Sequence, residues 1–191
     1  MSDTARKAHA YLERLGNLLR SEARSLGVRY GLQPVQMEAL AYLGNCNRYS
    51  DTPLGVTDYL GLTKGTVSQT LKVLENKGLL RKQADKKDKR VVHLHLTAAG
   101  RKLLDQAVPA PAIRDACETL TATQQSAMLG GLNALLGAIQ SGNGMKSFGV
   151  CKTCRHNEQR PAGEFYCKLT REPLSRGDVE LICREHEPEK A

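Results

Sequence analysis

The sequence predicts a mainly α-helical protein with one small β-hairpin, followed by a loop-rich appendage that contains four cysteines. Three observations support this fold class. Apolar residues recur every three or four positions in segments at both ends of residues 1–140, as in amphipathic helices. Between them lies a short segment in which apolar and polar residues alternate, which is typical of a β-hairpin. Four of the six cysteines lie within the 33 residues from Cys151 to Cys183.

Length and composition limit the classes of protein that fit. The 191 residues suffice for one domain and a small appendage, and 40% of them are hydrophobic, which is enough for a folded core. No run approaches the roughly 18 apolar residues of a membrane span, and the N-terminal residues lack the apolar segment of a secretory signal. We therefore expect a cytoplasmic protein, whose cysteines are thiols or metal ligands rather than disulfides.

Two helices are predicted before the central segment. The first covers residues 4–28, where the arginines lie off an apolar stripe with spacings of three and four. The stripe comprises Ala8, Leu12, Leu15, Leu19, Ala23 and Leu26. Gln33 and Pro34 are typical of a helix start, and the second helix is predicted to end at Leu43.

The central segment begins with two short helices separated by a turn. Thr52 is a suitable N-cap for the first, and Thr63 can cap the second after the break at Gly61. The second helix has an inward stripe and an opposite face without carboxylates before Glu75. Lysine and hydroxyl groups reach phosphates, and glutamine can bond bidentately to adenine. This face therefore predicts a recognition helix for the DNA major groove, with Lys64, Thr66, Ser68, Gln69 and Lys72 as its contacts.

A hairpin follows, from Gly78 to Leu96, with a basic tip. The tip places four cations among six residues, Asp85 to Arg90. A solvated turn is the simpler explanation for such a run. However, residues 63–102 contain 11 Lys/Arg and 3 Asp/Glu. The net charge of this window is therefore +8, which equals the net charge of the whole chain. This concentration of charge favours a DNA-contacting wing, with Lys86, Lys87, Lys89 and Arg90 as contacts.

Residues 1 to about 140 resemble the MarR-type winged helix-turn-helix transcriptional regulators. The resemblance lies in GLTKGTVSQTLKVLENKGLLRK, in the basic wing from Asp85 to Arg90, and in the Leu-Thr-x-x-Gly step that ends at Gly100. It implies a homodimer that binds a pseudo-palindromic operator and usually represses transcription. It also implies that Asp88 and Arg90 hold the wing to the body, and that a small aromatic or phenolic effector binds near the dimer helices.

The remaining helices are predicted to support dimerisation. A helix begins at Thr97 and ends before Pro109 and Pro111, because proline disrupts a helix interior. A final helix, capped by Thr121 or Thr123, continues to Ile139 with a broad apolar stripe. Apolar helices at both ends of the domain suggest packing across a two-fold axis. A monomer in which both stripes pack on the same chain's own DNA-reading segment remains an alternative.

The C-terminal segment predicts a metal site. The sequence divides into residues 1–140, a glycine-rich joint at 141–149 and an appendage at 150–191. Four thiolates in the pattern C-x2-C-x12-C-x15-C can surround a metal, which would stabilise a segment with few apolar residues. The ligands are Cys151, Cys154, Cys167 and Cys183. Zinc is marginally favoured over an iron–sulfur cluster, and His156 or His186 can substitute for one thiolate.

The sequence does not predict an enzyme. Its glycines form no phosphate-binding loop, no nucleophile has a paired base, and a four-thiolate site is coordinatively closed. Cys46 and Cys117 are expected to be inert thiols. The predicted function is DNA-binding transcription regulation, with a metal that is structural or sensory. The alternative is an iron–sulfur electron-transfer module whose winged helix binds another protein.

Overall fold

The computed structural model describes residues 2–189, apart from the side chain of Ala162. Its N-terminal part contains seven helices and one antiparallel hairpin, and its C-terminal part contains a three-stranded antiparallel sheet and one short helix. The first part comprises α1 (Asp3–Tyr30), α2 (Pro34–Asn45), α3 (Pro53–Leu60), α4 (Lys64–Asn76), β1 (Leu80–Ala84), β2 (Val92–Leu96), α5 (Ala98–Ala107), α6 (Pro111–Thr119) and α7 (Ala122–Gly142). Within residues 2–189, no helix combines the length and the hydropathy that crossing a bilayer requires.

The core of the first part forms around α2. Leu40 and Tyr42 of this helix are almost inaccessible, and they pack with the inward residues of α3, α4, β2 and α5. The predicted stripe of α4 is confirmed, since Val67, Leu71 and Leu74 are each at most 1% exposed. The core therefore fixes α4 with its opposite face towards solvent.

Local sequence signals determine the helix starts as predicted. The hydroxyl groups of Thr52, Thr63 and Thr97 each accept a hydrogen bond from a backbone N–H in the first turn of α3, α4 and α5. Thr121, rather than Thr123, caps α7. Gly61 ends α3 in the left-handed conformation, with φ of 64°, which glycine adopts without steric cost. The hairpin pairs Leu80 with Leu96, and of the apolar residues of β2 only Leu94 is fully buried.

Helices α1, α6 and α7 leave much apolar surface uncovered in the single chain. No residue of α6 or α7 is buried. Apolar side chains that are between 36% and 70% exposed include Tyr11, Leu12, Leu15 and Leu18 on α1 and Leu129, Leu132, Leu135, Leu136 and Ile139 on α7. The described residues of the same chain therefore do not bury these stripes.

The C-terminal part is a small folded unit rather than a set of loops. It comprises β3 (Asn157–Arg160), β4 (Glu164–Cys167), β5 (Glu172–Leu174) and α8 (Arg176–Val179), with 3-10 turns at Cys151–Thr153 and Pro161–Gly163. Strand β4 lies at the centre of its sheet. Leu174 and Val179 are buried beside Cys151 and form a second, smaller core.

The segment predicted as a joint contacts the N-terminal part. Phe148 is 8% exposed, and its ring packs at 5.2 Å from that of Tyr59 and 6.0 Å from that of Tyr42. Backbone hydrogen bonds also join Ile182 to Asn45 and Asn47, at the end of α2 and just after it. The C-terminal part is therefore fixed against the α2–α3 loop.

Candidate nucleic-acid interface and four-cysteine cavity

The face of α4 predicted to read DNA is exposed. All five predicted residues, Lys64, Thr66, Ser68, Gln69 and Lys72, lie on the solvent side of this helix. The Thr66 hydroxyl is 2.9 Å from the hydroxyl of the N-cap Thr63, so it forms part of the cap. The α4 face therefore presents two ammonium groups, an amide and short hydroxyl side chains, which suits phosphate and base-edge contacts.

The wing reaches the body through His93, whereas Asp88 and Arg90, which the resemblance assigns to that role, pair with each other. Asp88 and Arg90 form an ion pair with each other at the wing tip, with 3.0 Å between Arg90 Nη2 and Asp88 Oδ2. Asp85 instead accepts hydrogen bonds from the backbone N–H groups of Lys87 and Asp88. Its other oxygen lies 3.3 Å from His93 Nε2.

His93 connects the wing to the body through two carboxylates. Its Nδ1 lies 2.5 Å from Oδ1 of Asp51, which precedes α3, while its Nε2 faces Asp85. Burial alone would lower the pKa of His93, but the hydrogen bonds and charges of Asp51 and Asp85 together outweigh burial and raise that pKa. Burial also raises the pKa of Asp51, in spite of the opposing effect of His93. Both ring nitrogens of His93 face a carboxylate, so the pH dependence of this contact follows the protonation of His93.

We expect the stability of the fold to decrease as the pH rises through the elevated pKa of His93. The protonated ring is stabilised in the folded protein, so its contribution is complete below the ordinary histidine pKa of about 6.5 and is lost above the folded-state value. Thermal unfolding at pH 6 and pH 8 would measure this change. The His93→Gln variant should show a flatter profile, whereas His9→Gln on the exposed face of α1 should behave as the wild type. An unchanged profile in His93→Gln would contradict this role.

The four predicted wing cations are exposed, but one of them contacts the C-terminal part. Lys87 Nζ lies 3.0 Å from Glu172 Oε1 at the start of β5. Glu172 also accepts a hydrogen bond of 2.9 Å from the Tyr49 hydroxyl in the α2–α3 loop. The hydrogen bond from Lys87, followed by that from Tyr49, lowers the pKa of Glu172. Lys86, Lys89 and Arg90 remain directed to solvent at the tip of the wing.

The four cysteines of the C-terminal part line one cavity. Cys151, Cys154, Cys167 and Cys183 come from the 3-10 turn, its end, the end of β4 and the segment after α8, and all are free thiols. Burial and then the neighbouring thiols Cys183, Cys154 and Cys167 raise the pKa of Cys151 to about 12. Among the described residues, however, no three His, Cys, Asp or Glu side chains are close enough to hold a single metal ion.

Two buried polar atoms at the cavity lack partners among the described residues. They are Nδ2 of Asn47 and Oδ1 of Asn157, and both residues line the cavity. The other side-chain atom of each is satisfied: Asn47 Oδ1 accepts from Tyr49 N and Ser50 Oγ, and Asn157 Nδ2 donates to the carbonyl of Cys151. Unsatisfied buried groups cost about 1–3 kcal/mol each, so they suggest a ligand in the cavity.

The remaining candidate residues have other environments. Cys46 is buried in the main core, and burial raises the pKa of its thiol to about 12, which agrees with the expected inertness. His156 also lines the cavity, with its ring 3.4 Å from Glu187. The His186 ring lies between the hydroxyl groups of Ser147 and Thr153.

Sequence reasoning missed the α2–α3 loop as part of the cysteine site. Asn47 and Ser50 are completely buried, and Arg48 donates a hydrogen bond to the carbonyl of Pro173. The only signal in the sequence was the polar composition of this loop. That signal is ambiguous, because a solvated loop and a loop buried by another segment have the same composition. Only the packing of the C-terminal part distinguishes the two.

Comparison with known proteins places the fold. A sequence model of the MarR family matches residues 30–91. FabT of Streptococcus pneumoniae in complex with DNA is 24% identical with a TM-score of 0.59, and the alignment covers 73% of this chain and 99% of that one. The S. aureus MepR–DNA complex is 25% identical with a TM-score of 0.52, covering 69% and 98%. A MarR family regulator from Silicibacter pomeroyi is 25% identical with a TM-score of 0.58, covering 69% and 89%.

These similarities show the winged-helix fold of MarR regulators in the N-terminal part. No curated protein sequence is significantly similar to the chain. The three structures leave more than a quarter of this chain without a counterpart. The role of the remaining part must therefore be argued from its own residues.

Proposed function

We propose that this chain, whose residues 30–91 match the MarR family and which has the MarR winged-helix fold, is a DNA-binding transcriptional regulator. The observation that carries the proposal is the exposed basic surface formed by α4 and the wing. Residues 63–102 contain the whole net charge of +8, and the core holds α4 with Gln69 and the two lysines outwards. In this proposal α4 enters the major groove and the wing contacts the flanking backbone.

We propose that the regulator acts as a homodimer. The exposed apolar stripes of α1 and α7 support this, because monomeric proteins rarely expose large contiguous apolar patches. A two-fold dimer presents two copies of α4, which suits a pseudo-palindromic operator with half-sites about 34 Å apart. Repression follows if the bound dimer blocks the transcription machinery at the promoter.

A small aromatic or phenolic effector is a further part of this proposal, although the cleft that suits it lies on the DNA-reading side and not near the helices proposed to form the dimer. A cleft of about 330 Å³ lies between α3 and α4, and Leu54, Val67 and Leu71 give it an apolar wall. Lys64 and Ser68 of the DNA-reading face also line the cleft. A ligand bound there would therefore compete with DNA, and release of the operator on ligand binding would support this site.

The four-cysteine part is proposed as a metal-binding module that is structural or sensory. Its support is the convergence of four free thiols on one cavity, which the spacing of the cysteines predicts. The rival proposal is an electron-transfer module whose winged helix binds another protein. That module would bind a metal centre but would show no salt-dependent affinity for DNA.

Two substitutions on the basic surface should have different effects on DNA binding. Gln69→Ala should reduce the preference for a cognate duplex over a scrambled one by about 1–3 kcal/mol, because a base contact is lost. Lys89→Ala should weaken binding to both duplexes equally, because a phosphate contact is lost. The magnitude of the slope of log affinity against log salt should decrease by about one. Fluorescence anisotropy with both duplexes at several salt concentrations would measure these effects. Equal losses on both duplexes for Gln69→Ala would contradict its assigned role.

A further inference from the structure

In the described part of the chain, the four thiols line one cavity without forming a site for a single ion. Tetrahedral zinc requires four sulfurs about 2.3 Å from the ion, and therefore about 4 Å from one another. The described residues contain no group of three ligands close enough for one ion, yet all four thiols face the same cavity. In a four-iron cluster each thiolate binds a different iron, so the same four thiolates lie further apart.

Asn47 supplies a second observation, which points to a hydrogen-bond acceptor in the cavity. This residue is completely buried, and its Oδ1 is engaged by Tyr49 N and Ser50 Oγ at 3.2 and 2.9 Å. These two donors fix the orientation of the amide, so that Nδ2 is left without an acceptor among the described residues at the wall of the cavity. Cluster sulfides and thiolates accept hydrogen bonds from such N–H groups.

The ligand segments are also attached directly to the DNA-binding part. Arg184, which follows Cys183, lies 2.7 Å from Asp58 on α3, and its backbone N–H donates to Ser50 Oγ. Glu172, five residues after Cys167, contacts Tyr49 in the α2–α3 loop and Lys87 on the wing. The α2–α3 loop therefore contacts the cavity, and Glu172 of the small sheet forms an ion pair with Lys87 of the wing.

We propose that the cavity is a composite iron–sulfur site. The four cysteines of the C-terminal part hold a cluster, Asn47 of the DNA-binding part donates a hydrogen bond to one of its sulfur atoms, and the filled site keeps Glu172 docked on Lys87. This inference rests on the proposed function, because docking matters only if the wing contacts DNA. Loss of the cluster releases Lys87 and makes it available for a phosphate.

Reconstitution of the full-length protein under anaerobic conditions tests the nature of the centre. With ferrous iron and sulfide we expect about four iron and four sulfide per chain and a broad visible charge-transfer absorption. Cys151→Ser and Cys167→Ser should lose both, while Cys117→Ser on α6, away from the cavity, should retain both. A colourless protein that binds one zinc per chain, or a protein that binds no metal, would overturn the inference.

The Asn47→Asp variant tests whether the site is shared between the two parts. It keeps the acceptor for Tyr49 N and Ser50 Oγ but removes the Nδ2 donor. We expect a lower reduction potential for the cluster and loss of iron to a chelator at least about tenfold faster, since the variant removes one hydrogen bond and places a carboxylate beside an anionic cluster. An unchanged circular dichroism spectrum would show that the fold is intact. A reduction potential and chelation rate equal to those of the wild type would overturn the role of Asn47.

DNA binding by the reconstituted and the cluster-free protein tests the coupling to the wing. The cluster-free protein should have a salt slope larger by about one, because Lys87 gains a phosphate contact. The reconstituted Glu172→Gln variant should resemble the cluster-free protein, whereas Glu164→Gln, which removes the same charge on β4, should resemble the reconstituted wild type. Equal slopes with and without the cluster would overturn the coupling. Absence of salt-dependent binding in both forms would instead overturn the proposed function and leave the iron and sulfide results unaffected.

Discussion

Replacing Leu132 by aspartate is expected to prevent the proposed dimer from forming and to weaken operator binding by at least about 100-fold, since a monomer retains only half of the specific contacts. Leu132 is 45% exposed in the single chain and lies in the apolar stripe of α7 with Leu129, Leu136 and Ile139. An unpaired carboxylate in such an interface is strongly unfavourable. Sedimentation equilibrium and anisotropy with an operator duplex would measure the two effects.

The matched control for this variant is Thr123→Asp. It places the same charge on the same helix, but at an exposed polar position outside the apolar stripe. A carboxylate in the first turn of α7 also interacts favourably with the helix dipole. This variant should therefore remain a dimer with unchanged DNA affinity. If Leu132→Asp also stays dimeric, the proposed interface is not the one that α7 forms.

Gly100→Ala is expected to lower the free energy of unfolding by about 2–3 kcal/mol, because it overpacks a rigid contact. A Cβ on Gly100 would lie 2.0 Å from the backbone oxygen of Leu79, just before the hairpin. The Thr97 N-cap of α5 holds this close approach, with its hydroxyl accepting a hydrogen bond from the N–H of Gly100 at 3.1 Å. A backbone oxygen cannot rotate away, so either α5 or the start of β1 must shift.

Gly65→Ala on α4 is the control for this second prediction. The nearest atom to a Cβ there is the Thr63 hydroxyl at 3.9 Å, which is an ordinary contact. The change should stabilise the protein by about 0.5–1 kcal/mol, because alanine loses less conformational entropy in a helix. Urea unfolding of both variants would measure the free energies. Equal stabilities for Gly100→Ala and the wild type would show that the contact with Leu79 is not rigid.

Local signals made the DNA-binding part predictable from the sequence. The caps at Thr52, Thr63 and Thr97 and the stripe of α4 depend on residues within one or two helical turns. The exposure of the α4 face followed from the same periodicity. The basic wing tip was equally apparent, because four cations among six residues have no apolar neighbours to bury.

The anchoring of the wing depended on strand register and was not predictable. The hairpin pairs Gln83 with His93, which places the His93 ring between Asp85 and Asp51. The resemblance assigned this anchoring to Asp88 and Arg90, which pair with each other at the wing tip. The position of His93 on the return strand determines which carboxylates it meets, and the local sequence does not reveal that position.

Docking of the C-terminal part was also beyond sequence reasoning. The cysteine spacing predicted that four thiols converge, but it gave no information about the surface against which they pack. Phe148 lies in a segment that looks like a flexible joint, yet its ring packs against Tyr42 and Tyr59. The involvement of Asn47 depends on contacts across more than 100 residues of sequence, such as that with Ile182.

Selection of bound duplexes from a random pool by the wild-type protein tests the central claim most directly, since the selection itself reveals the operator sequence. The claim is that two copies of α4 read DNA sequence in a symmetric dimer. A symmetric dimer should enrich a pseudo-palindrome whose half-site centres are about 10 base pairs apart. Failure to enrich any sequence, or enrichment of a single half-site without a symmetric partner, would contradict it.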